Sequence, residues 1–344
     1  MKHAVLHHRY EFRYPCTGES TVPSHVTHIL FGNEVLAELG IPLRHAPWFY
    51  VGCQGPDLFL HNQRTMPRAL SWGRELHRRG YGDFTAALFR ELCASLNEWS
   101  SPQGMYILGF ITHAFLDRHT HPYVEAWAGW GRDRRYAHPF LERLIDAELF
   151  SVREGRRISD ISCFQWVNLG KHAPDPLVKL LSEAAQSHFT RRLADDAEVK
   201  VIHAYLDTMG FLEMTDSWDL VRIRSLIAHR DPEGAKRLIS LYHPPHLPVH
   251  MDVLNLSRSP WGPKPGVAKS FLDLLGEAKD LCTEVIRQVM ETECQDAPDI
   301  APIVDNEGLN AAGDRASSAG IQDPLPLPEA LEALYRSILA YSPP

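Results

Sequence analysis

The chain has 344 residues, of which 44% are hydrophobic and 23% are charged, a balance that is typical of a folded globular protein. Its formal net charge of −8 argues against a general nucleic-acid-binding surface. The opening stretch MKHAVLHHRYEFRYPC lacks the apolar segment of a secretory signal, and the sequence has no run of about 18 apolar residues. We therefore expect a cytoplasmic protein without a transmembrane segment, while export without such a signal stays open.

Apolar residues recur with helical spacing along most of the chain, and strand-like alternation is scarce. The sequence therefore predicts an all-α fold, a multi-helix bundle with long loops. In chain order, an irregular start is followed by a helix at 27–40, a tight loop or short helix at 47–59, and helices at about 82–99, 102–120, 138–155, 174–192, 194–210, 217–229, 232–242 and 265–293.

The segment at 102–120 is apolar on all sides, which is typical of a helix at the centre of a bundle. We expect this helix to end before Pro122, because proline disrupts a helix interior. One helical domain is predicted over 1–294, with its core motifs in 23–150 and a helical extension in 151–294. Residues 295–327 are rich in Asp, Pro, Gly, Ala and Ser and predict a linker, and 328–344 predicts a C-terminal helix.

The six cysteines are widely scattered and form no CxxC pair. In so long a chain this predicts ordinary buried thiols, without a disulfide framework or a zinc ribbon. The nineteen histidines are a high count and require an explanation.

The stretch GFITHAFLDRHTHPYVEAW (109–127) places His113, Asp117 and His121 four residues apart. Each step of four residues turns about 40° and rises about 6 Å along a helix, so His113 and Asp117 project side by side and can share one metal ion. His121 lies about 12 Å beyond His113, whereas zinc–ligand bonds are only about 2 Å long. The spacing therefore suggests two adjacent metal ions, which the two oxygens of Asp117 could bridge.

A second row of donors occurs in HPFLERLID, where His138 and Glu142 lie one helical turn apart and Asp146 continues the row. Such pairs suit zinc or a similar ion, although a pair taken alone is more often a surface salt bridge. His113 and Asp117 are better candidates, because their segment is too apolar for the surface and an unpaired buried charge is costly. Further candidates are His25 and His28 in SHVTH, Asp57 in GPDLF and His77 in ELHRRG.

In this order, the motifs THILFG, GCQGPDLF, ELH, GFITHAFLDRHTHPY and HPFLERLIDAEL resemble the bacterial zinc-dependent phospholipase C family. More distantly they resemble the fungal single-strand nucleases that share its fold. The resemblance covers residues 23–150 and implies an all-α bundle of this type with a trinuclear zinc site.

The resemblance implies three groups of ligands. One ion would be bound by His77, His113 and Asp117 with Asp57 beside them. A second would be bound by His28 with a bridging Asp117. The third would be bound by the set His121, His138 and Glu142. Asp57 is also the family's candidate general base.

The sequence departs from the family pattern at two points. In the secreted phospholipases an N-terminal tryptophan binds the second zinc, whereas here Met1 lies 27 residues before His28. Either the N-terminal segment folds back, or His25 or another group substitutes, or that site is weak. The histidine after the aspartate usually lies two residues later than His121, so His119 and, more remotely, Glu125 are alternative ligands.

We therefore expect a metal-dependent phosphodiester hydrolase of the phospholipase C type, with two or three zinc ions and a phospholipid or other phosphodiester as substrate. A nuclease or a small-molecule phosphodiesterase with the same site is one alternative, although the acidic balance makes nucleic acid an unlikely substrate. Another is a non-catalytic scaffold or binding protein that the metals stabilise. The sequence does not predict the oligomeric state.

Overall fold

The computed structural model describes residues 25–62, 64–128, 137–215, 251–261 and 267–309, and single positions at 329, 332, 333 and 336. Throughout these residues the regular secondary structure is helical, which confirms the predicted all-α fold. The α-helices are α1 (His25–Glu38), α2 (Ala46–Cys53), α3 (Asp57–Leu60), α4 (Leu70–Leu76), α5 (Tyr81–Ala94), α6 (Pro102–Ala128), α7 (Ala137–Glu154), α8 (Cys163–Val167), α9 (Asp175–His188), α10 (Arg191–Ala194), α11 (Ala197–Thr215), α12 (Phe271–Glu291) and α13 (Ile300–Val304).

Short 3₁₀ turns lie at Ile158–Asp160 and Cys294–Asp299. The helices predicted at 217–229 and 232–242, and most of the helix predicted at 328–344, lie outside the described residues. Among the described helices, none is both long enough and apolar enough to cross a membrane.

Helix α6 is the centre of the bundle and packs against α1, α2, α5, α7 and α12. The predicted end before Pro122 is wrong, since the helix continues through this proline to Ala128. Proline in a helix interior costs about 3 kcal/mol. The last turns, however, bury Tyr123, Val124 and Ala126, and full burial of one large apolar side chain contributes about 1.5–3 kcal/mol. Burial in the core therefore outweighs the lost backbone hydrogen bond.

Helices α2 and α6 touch through their backbones at two glycines. A Cβ atom on Gly52 would lie 2.1 Å from the carbonyl oxygen of Tyr106, and one on Gly109 would lie 2.3 Å from that of Phe49. Gly55, just after α2, has φ +53°, and a Cβ there would lie 2.3 Å from the ring of His113. These close approaches bring the turn that starts α3 directly against the middle of α6.

Residues 294–309 form what we call the strap, which lies across α5 and α6. Its buried apolar residues are Ala297, Ile300, Ala301, Val304 and Leu309. The linker predicted from residue 295 is therefore wrong for 295–309, because this short apolar set, spaced among Asp, Pro and Gly, packs on the bundle. The remaining part of the predicted linker lies outside the described residues, and the division into domains stays a prediction.

The strap is joined to α5 by a disulfide between Cys93 and Cys294, whose separation along the chain is 201 residues. The expectation of thiols without disulfides is therefore wrong for this pair, because nothing in so wide a spacing indicates that the two residues meet. Cys53, Cys163 and Cys282 are buried, as expected, and Cys53 and Cys282 are free thiols. Cys16 lies outside the described residues.

The backbone contact between α2 and α6 predicts a large cost for Gly109→Ala. The added methyl group has to displace a backbone carbonyl, so we expect a loss of about 1–3 kcal/mol in the free energy of unfolding. Gly276→Ala in α12 is the matched control, because a Cβ atom there meets nothing within 4 Å and alanine favours a helix. Urea denaturation of the metal-free proteins measures both changes, and equal stability of the two variants would contradict the prediction.

Candidate metal centre

One face of α6 carries His113, Asp117 and His121, and all three side chains are buried. Their spacing of four residues places them in one row along the helix, as the sequence predicts. The Nε2 atom of His113 lies 3.1 Å from Oδ2 of Asp117, and Nε2 of His121 lies 3.5 Å from Oδ1 of the same carboxylate. Asp117 is therefore flanked by imidazoles from the turn before it and the turn after it.

Asp57 reaches this row from the first residue of α3. Its Oδ2 atom lies 3.6 Å from Nε2 of His113, and its Oδ1 atom lies 3.0 Å from Nε2 of His77 at the end of α4. Because Gly55 allows the turn before α3 to touch His113, the carboxylate of Asp57 comes between two imidazoles. The four residues His77, Asp57, His113 and Asp117 thus form one continuous group.

His28 approaches the same group from α1. Its Nε2 atom lies 3.2 Å from Oδ1 of Asp117, and its ring stacks on that of His113 with centroids 4.2 Å apart. Asp117 therefore has one oxygen towards His113 and the other towards both His28 and His121. This geometry is the one that a carboxylate needs in order to bridge two metal ions, as the sequence suggested for Asp117.

The other end of the row is completed by α7. The Nε2 atom of His138 lies 3.0 Å from Oε1 of Glu142, which is also 3.5 Å from Nε2 of His121. All of the donors that the sequence singled out as main candidates therefore lie in one buried row. Within the described residues, three sets have donor atoms mutually within 4.8 Å: His28, Asp57 and His113; His77, His113 and Asp117; and His121, His138 and Glu142.

The first two sets share His113, and this limits the number of metal ions that they can bind together. The Nδ1 atom of His113 lies 3.0 Å from the carbonyl oxygen of Cys53. A carbonyl only accepts, so Nδ1 carries the proton and only Nε2 can bind a metal ion. His113 can therefore serve one ion, and a separate ion at His28 has to rely on shared carboxylates.

Backbone carbonyls orient two further histidines in the same way. The Nδ1 atom of His77 donates to the carbonyl of Gly73 at 2.7 Å, and Nδ1 of His121 donates to that of Leu309 at 3.1 Å. Each ring consequently presents an unprotonated Nε2 atom to the centre in its neutral form. Contacts of this kind fix the tautomer and the ring orientation of metal-binding histidines.

The donor atoms of the row fit a soft-to-intermediate divalent cation. Four of these ligand atoms are buried and make no hydrogen bond, although other ligand atoms of the row lie nearby. They are Oδ1 of Asp57, Nε2 of His113, Oδ2 of Asp117 and Oε2 of Glu142. Buried polar atoms are normally satisfied, so lone pairs that converge without hydrogen-bond geometry indicate a cation. Imidazole and carboxylate donors together are the set that zinc takes in proteins.

Charge in the metal-free protein is balanced by protons on the imidazoles. Burial lowers the pKa of His121, but the carboxylates of Asp117 and Glu142 overcome this and raise it to about 10. Burial raises the pKa of Glu142, but His138 and His121 lower it to about 2. Three histidines likewise hold the pKa of Asp117 well below its usual range. A metal ion would take over the charge balance that these protons provide.

Three less favoured candidates lie outside the three sets. Asp146 accepts hydrogen bonds from the backbone and the hydroxyl group of Thr27, each at 2.7 Å, and lies 3.7 Å from the guanidinium of Arg143. It therefore binds the first turn of α1, the helix that carries His28. His25 contacts the side chain of Gln54. His119 donates from Nδ1 to the carbonyl of Phe115 at 2.7 Å.

The sequence analysis did not identify several buried polar residues that lie beside the row. Arg143 and Gln54 are buried, and so is His61, whose pKa burial lowers to about 4. Arg143 directly follows Glu142, yet helical spacing gives no sign that a cation is buried there. Glu125, the remote alternative ligand, is buried one turn beyond His121 and lies outside the three sets.

The segment that contains the row matches a known family. Residues 27–189 match the family model of zinc-dependent phospholipase C. The predicted resemblance is confirmed, and the match continues past residue 150 to the end of α9. Comparison with curated proteins and with solved structures gave no significant match.

The pKa shifts predict how the stability of the metal-free protein depends on pH. The raised pKa of His121 gives a contribution that is complete below pH 6.5 and is lost as the pH rises through about 10. The lowered pKa of Glu142 gives a contribution that is present above pH 4.5 and is lost as the pH falls towards about 2. We expect Glu142→Gln to remove the acid part of this dependence.

Urea denaturation of the chelator-treated wild type and of Glu142→Gln, measured across pH, gives the two curves. The gap between them should narrow as the pH falls from 4.5 towards 2. Curves that stay parallel over this range would show that Glu142 does not titrate as the contacts require.

Proposed function

We propose that the chain is a zinc-dependent phosphodiester hydrolase of the phospholipase C type. The observation that carries the proposal is the buried row of imidazoles and carboxylates that runs from His77 to His138 through Asp117. The family match over 27–189 supports zinc as the metal and a hydrolase as the class of protein.

The proposed ligands follow the contacts of the row. One zinc ion is bound by His77, His113 and Asp117 with Asp57, and another by His121, His138 and Glu142. A third, at His28, shares the bridging carboxylate of Asp117 and has the fewest donors among the described residues. Two or three ions per chain are therefore expected, and the His28 site should be the weakest.

Zinc supplies Lewis-acid chemistry, which activates water near neutral pH and stabilises negative charge on a phosphodiester. The three carboxylates Asp57, Asp117 and Glu142 do not fully neutralise two or three divalent cations. A loaded centre is therefore cationic and attracts the phosphate of the substrate. Burial of the row strengthens this attraction, because a low local dielectric weakens screening.

Asp57 is the proposed proton acceptor for the attacking water. Its carboxylate lies between His77 and His113, at the end of a turn, and its Oδ1 atom makes no hydrogen bond. A carboxylate with a free lone pair at the edge of a metal cluster can orient water and accept its proton. Asp117, in contrast, has both oxygens directed at histidines, which suits a bridging ligand.

A phospholipid or a related phosphodiester is the proposed substrate, in line with the family. A nuclease or small-molecule phosphodiesterase with the same centre, and a metal-stabilised scaffold without activity, are outcomes that the test below separates. The cytoplasmic location stays a prediction. The disulfide Cys93–Cys294 favours export, because such bonds persist mainly in oxidising compartments.

Turnover can be tested with zinc-loaded protein on phosphatidylcholine vesicles, p-nitrophenylphosphorylcholine, bis-p-nitrophenyl phosphate and single-stranded DNA. We expect hydrolysis of the choline-containing phosphodiesters that a chelator abolishes and zinc restores. Selective cleavage of DNA would support the nuclease instead. Two or three bound zinc equivalents without turnover of any substrate would support the scaffold.

Asp57→Asn tests the proposed acceptor. The amide keeps the size of the side chain and one oxygen donor, so most of the zinc should stay bound. The rate constant of turnover should fall by about 10²–10⁴-fold, the usual contribution of a positioned general base. His172→Ala, at an exposed position, is the control that should leave both zinc content and turnover unchanged. Unchanged turnover in Asp57→Asn would exclude Asp57 as the base.

A further inference from the structure

The last described residue of the strap contacts two parts of the metal centre. The backbone N–H of Leu309 donates to the carbonyl of His77 at 2.8 Å, and its own carbonyl accepts from Nδ1 of His121 at 3.1 Å. Leu309 is fully buried. The backbone of this one residue therefore connects the histidine at the end of α4 with His121, the first histidine of the third set.

Arg118 holds the strap against α6. Its guanidinium donates to the carbonyls of Val304 at 2.7 Å, Asp305 at 3.0 Å and Glu307 at 3.0 Å. Hydrogen bonds from a charged donor are about twice as strong as neutral ones. Because Arg118 directly follows Asp117 in α6, the residue that fixes the strap is adjacent to the bridging carboxylate.

The strap also completes the first turn of α5, which lacks a side-chain cap of its own. The backbone N–H of Gly82 donates to the carbonyl of Asp305 at 2.9 Å, and that of Asp83 donates to Oδ1 of Asn306 at 2.9 Å. A Cβ atom on Gly82 would lie only 2.2 Å from the carbonyl oxygen of Ala301. Position 82 therefore has no room for a side chain while the strap is in place.

Both ends of the strap are thus fixed. The disulfide joins its first residue to α5, and Arg118 with His77 and His121 hold the other end. Between them, Ile300 and Val304 are fully buried. A segment attached in this way can transmit a small displacement to the ring of His121.

We propose that the strap is a positioning element of the metal centre. Through the carbonyl of Leu309 it keeps the proton of His121 on Nδ1 and directs Nε2 towards His138 and Glu142, and it thereby sets the zinc affinity of this third set. The proposal rests on the proposed function only for the identity of the metal. Its test reads zinc binding and not turnover, so the two can fail separately.

Two substitutions displace the strap without touching a proposed ligand. Gly82→Ala pushes on its backbone, and Arg118→Met removes the donors that hold its carbonyls. Loss of an outer-shell partner typically lowers metal affinity 10–100-fold. We expect such a loss for one zinc equivalent, with the other equivalents unchanged, in competition titrations against a chromophoric zinc chelator.

Three controls separate positioning from a general loss of stability. Gly276→Ala and Arg287→Met make the same chemical changes on α12, where a Cβ atom at 276 meets nothing within 4 Å and the exposed guanidinium of Arg287 pairs with Glu284. Leu181→Ala removes a fully buried side chain in α9 and should cost about 2–5 kcal/mol of stability. All three should retain the zinc affinities of the wild type, even though Leu181→Ala unfolds more easily.

The affected ion is assigned with His138→Ala, which removes the third set. In this background Gly82→Ala should have no further effect on the remaining zinc, because the site that the strap controls has already been lost. The double variant Cys93→Ser/Cys294→Ser releases the other end of the strap and should weaken the same zinc equivalent.

Unchanged zinc affinity in Gly82→Ala and Arg118→Met would overturn the proposal, as would a zinc loss of the same size in Leu181→Ala. An effect of Gly82→Ala that persists in the His138→Ala background would overturn it too. A wild-type chain that binds zinc without turnover overturns only the proposed function. A chain that binds no zinc overturns both proposals.

Discussion

The negative charge of Asp117 is the constraint on which the rest of the site depends. Its carboxylate is buried in the central helix of the bundle, where an unpaired charge is costly. Histidines from α1 and from both neighbouring turns of α6 compensate it. The same balance can be met by protons or by divalent ions, so the fold tolerates the site in both forms.

The second requirement is the close contact between α2 and α6. Asp57 and His113 belong to separate helices, and they meet because glycines at 52, 55 and 109 let backbone and ring atoms approach within ordinary contact distance. A helix pair with larger residues at these positions would stand further apart, since helix axes usually lie about 8–10 Å apart depending on the side chains between them. The carboxylate would then fall short of the imidazole. The glycines of GCQGPDLF and YILGF are therefore part of how the site is built, although none of them binds metal.

Regular helical spacing explains what the sequence could predict. The rows on α6 and α7 follow from a repeat of four residues. The position of His28, Asp57 and His77 beside them was implied by the resemblance of the ordered motifs to the phospholipase C family. The same spacing also suggested Asp146 as a metal ligand. Its carboxylate instead accepts a hydrogen bond from the backbone of Thr27 in the first turn of α1, and spacing along α7 alone does not distinguish these two roles. The predicted helix end at Pro122 was wrong because a local rule about proline does not include the apolar area that the following turns bury.

The strap was not predicted because its apolar residues are few and are separated by residues typical of linkers. The partner of Cys93 lies 201 residues away, a distance at which composition carries no information.

The contact between Leu309 and the histidines at 77 and 121 has a consequence for the order in which the molecule is made. During synthesis, the three residues of the third set emerge well before Leu309, whose carbonyl orients His121. Contacts between residues so far apart in the chain form slowly, because the entropy of closing a long loop has to be met first. A nascent chain therefore presents the donors of the third set before the strap can dock and orient His121. The orientation of His121 is in this way coupled to the docking of the strap.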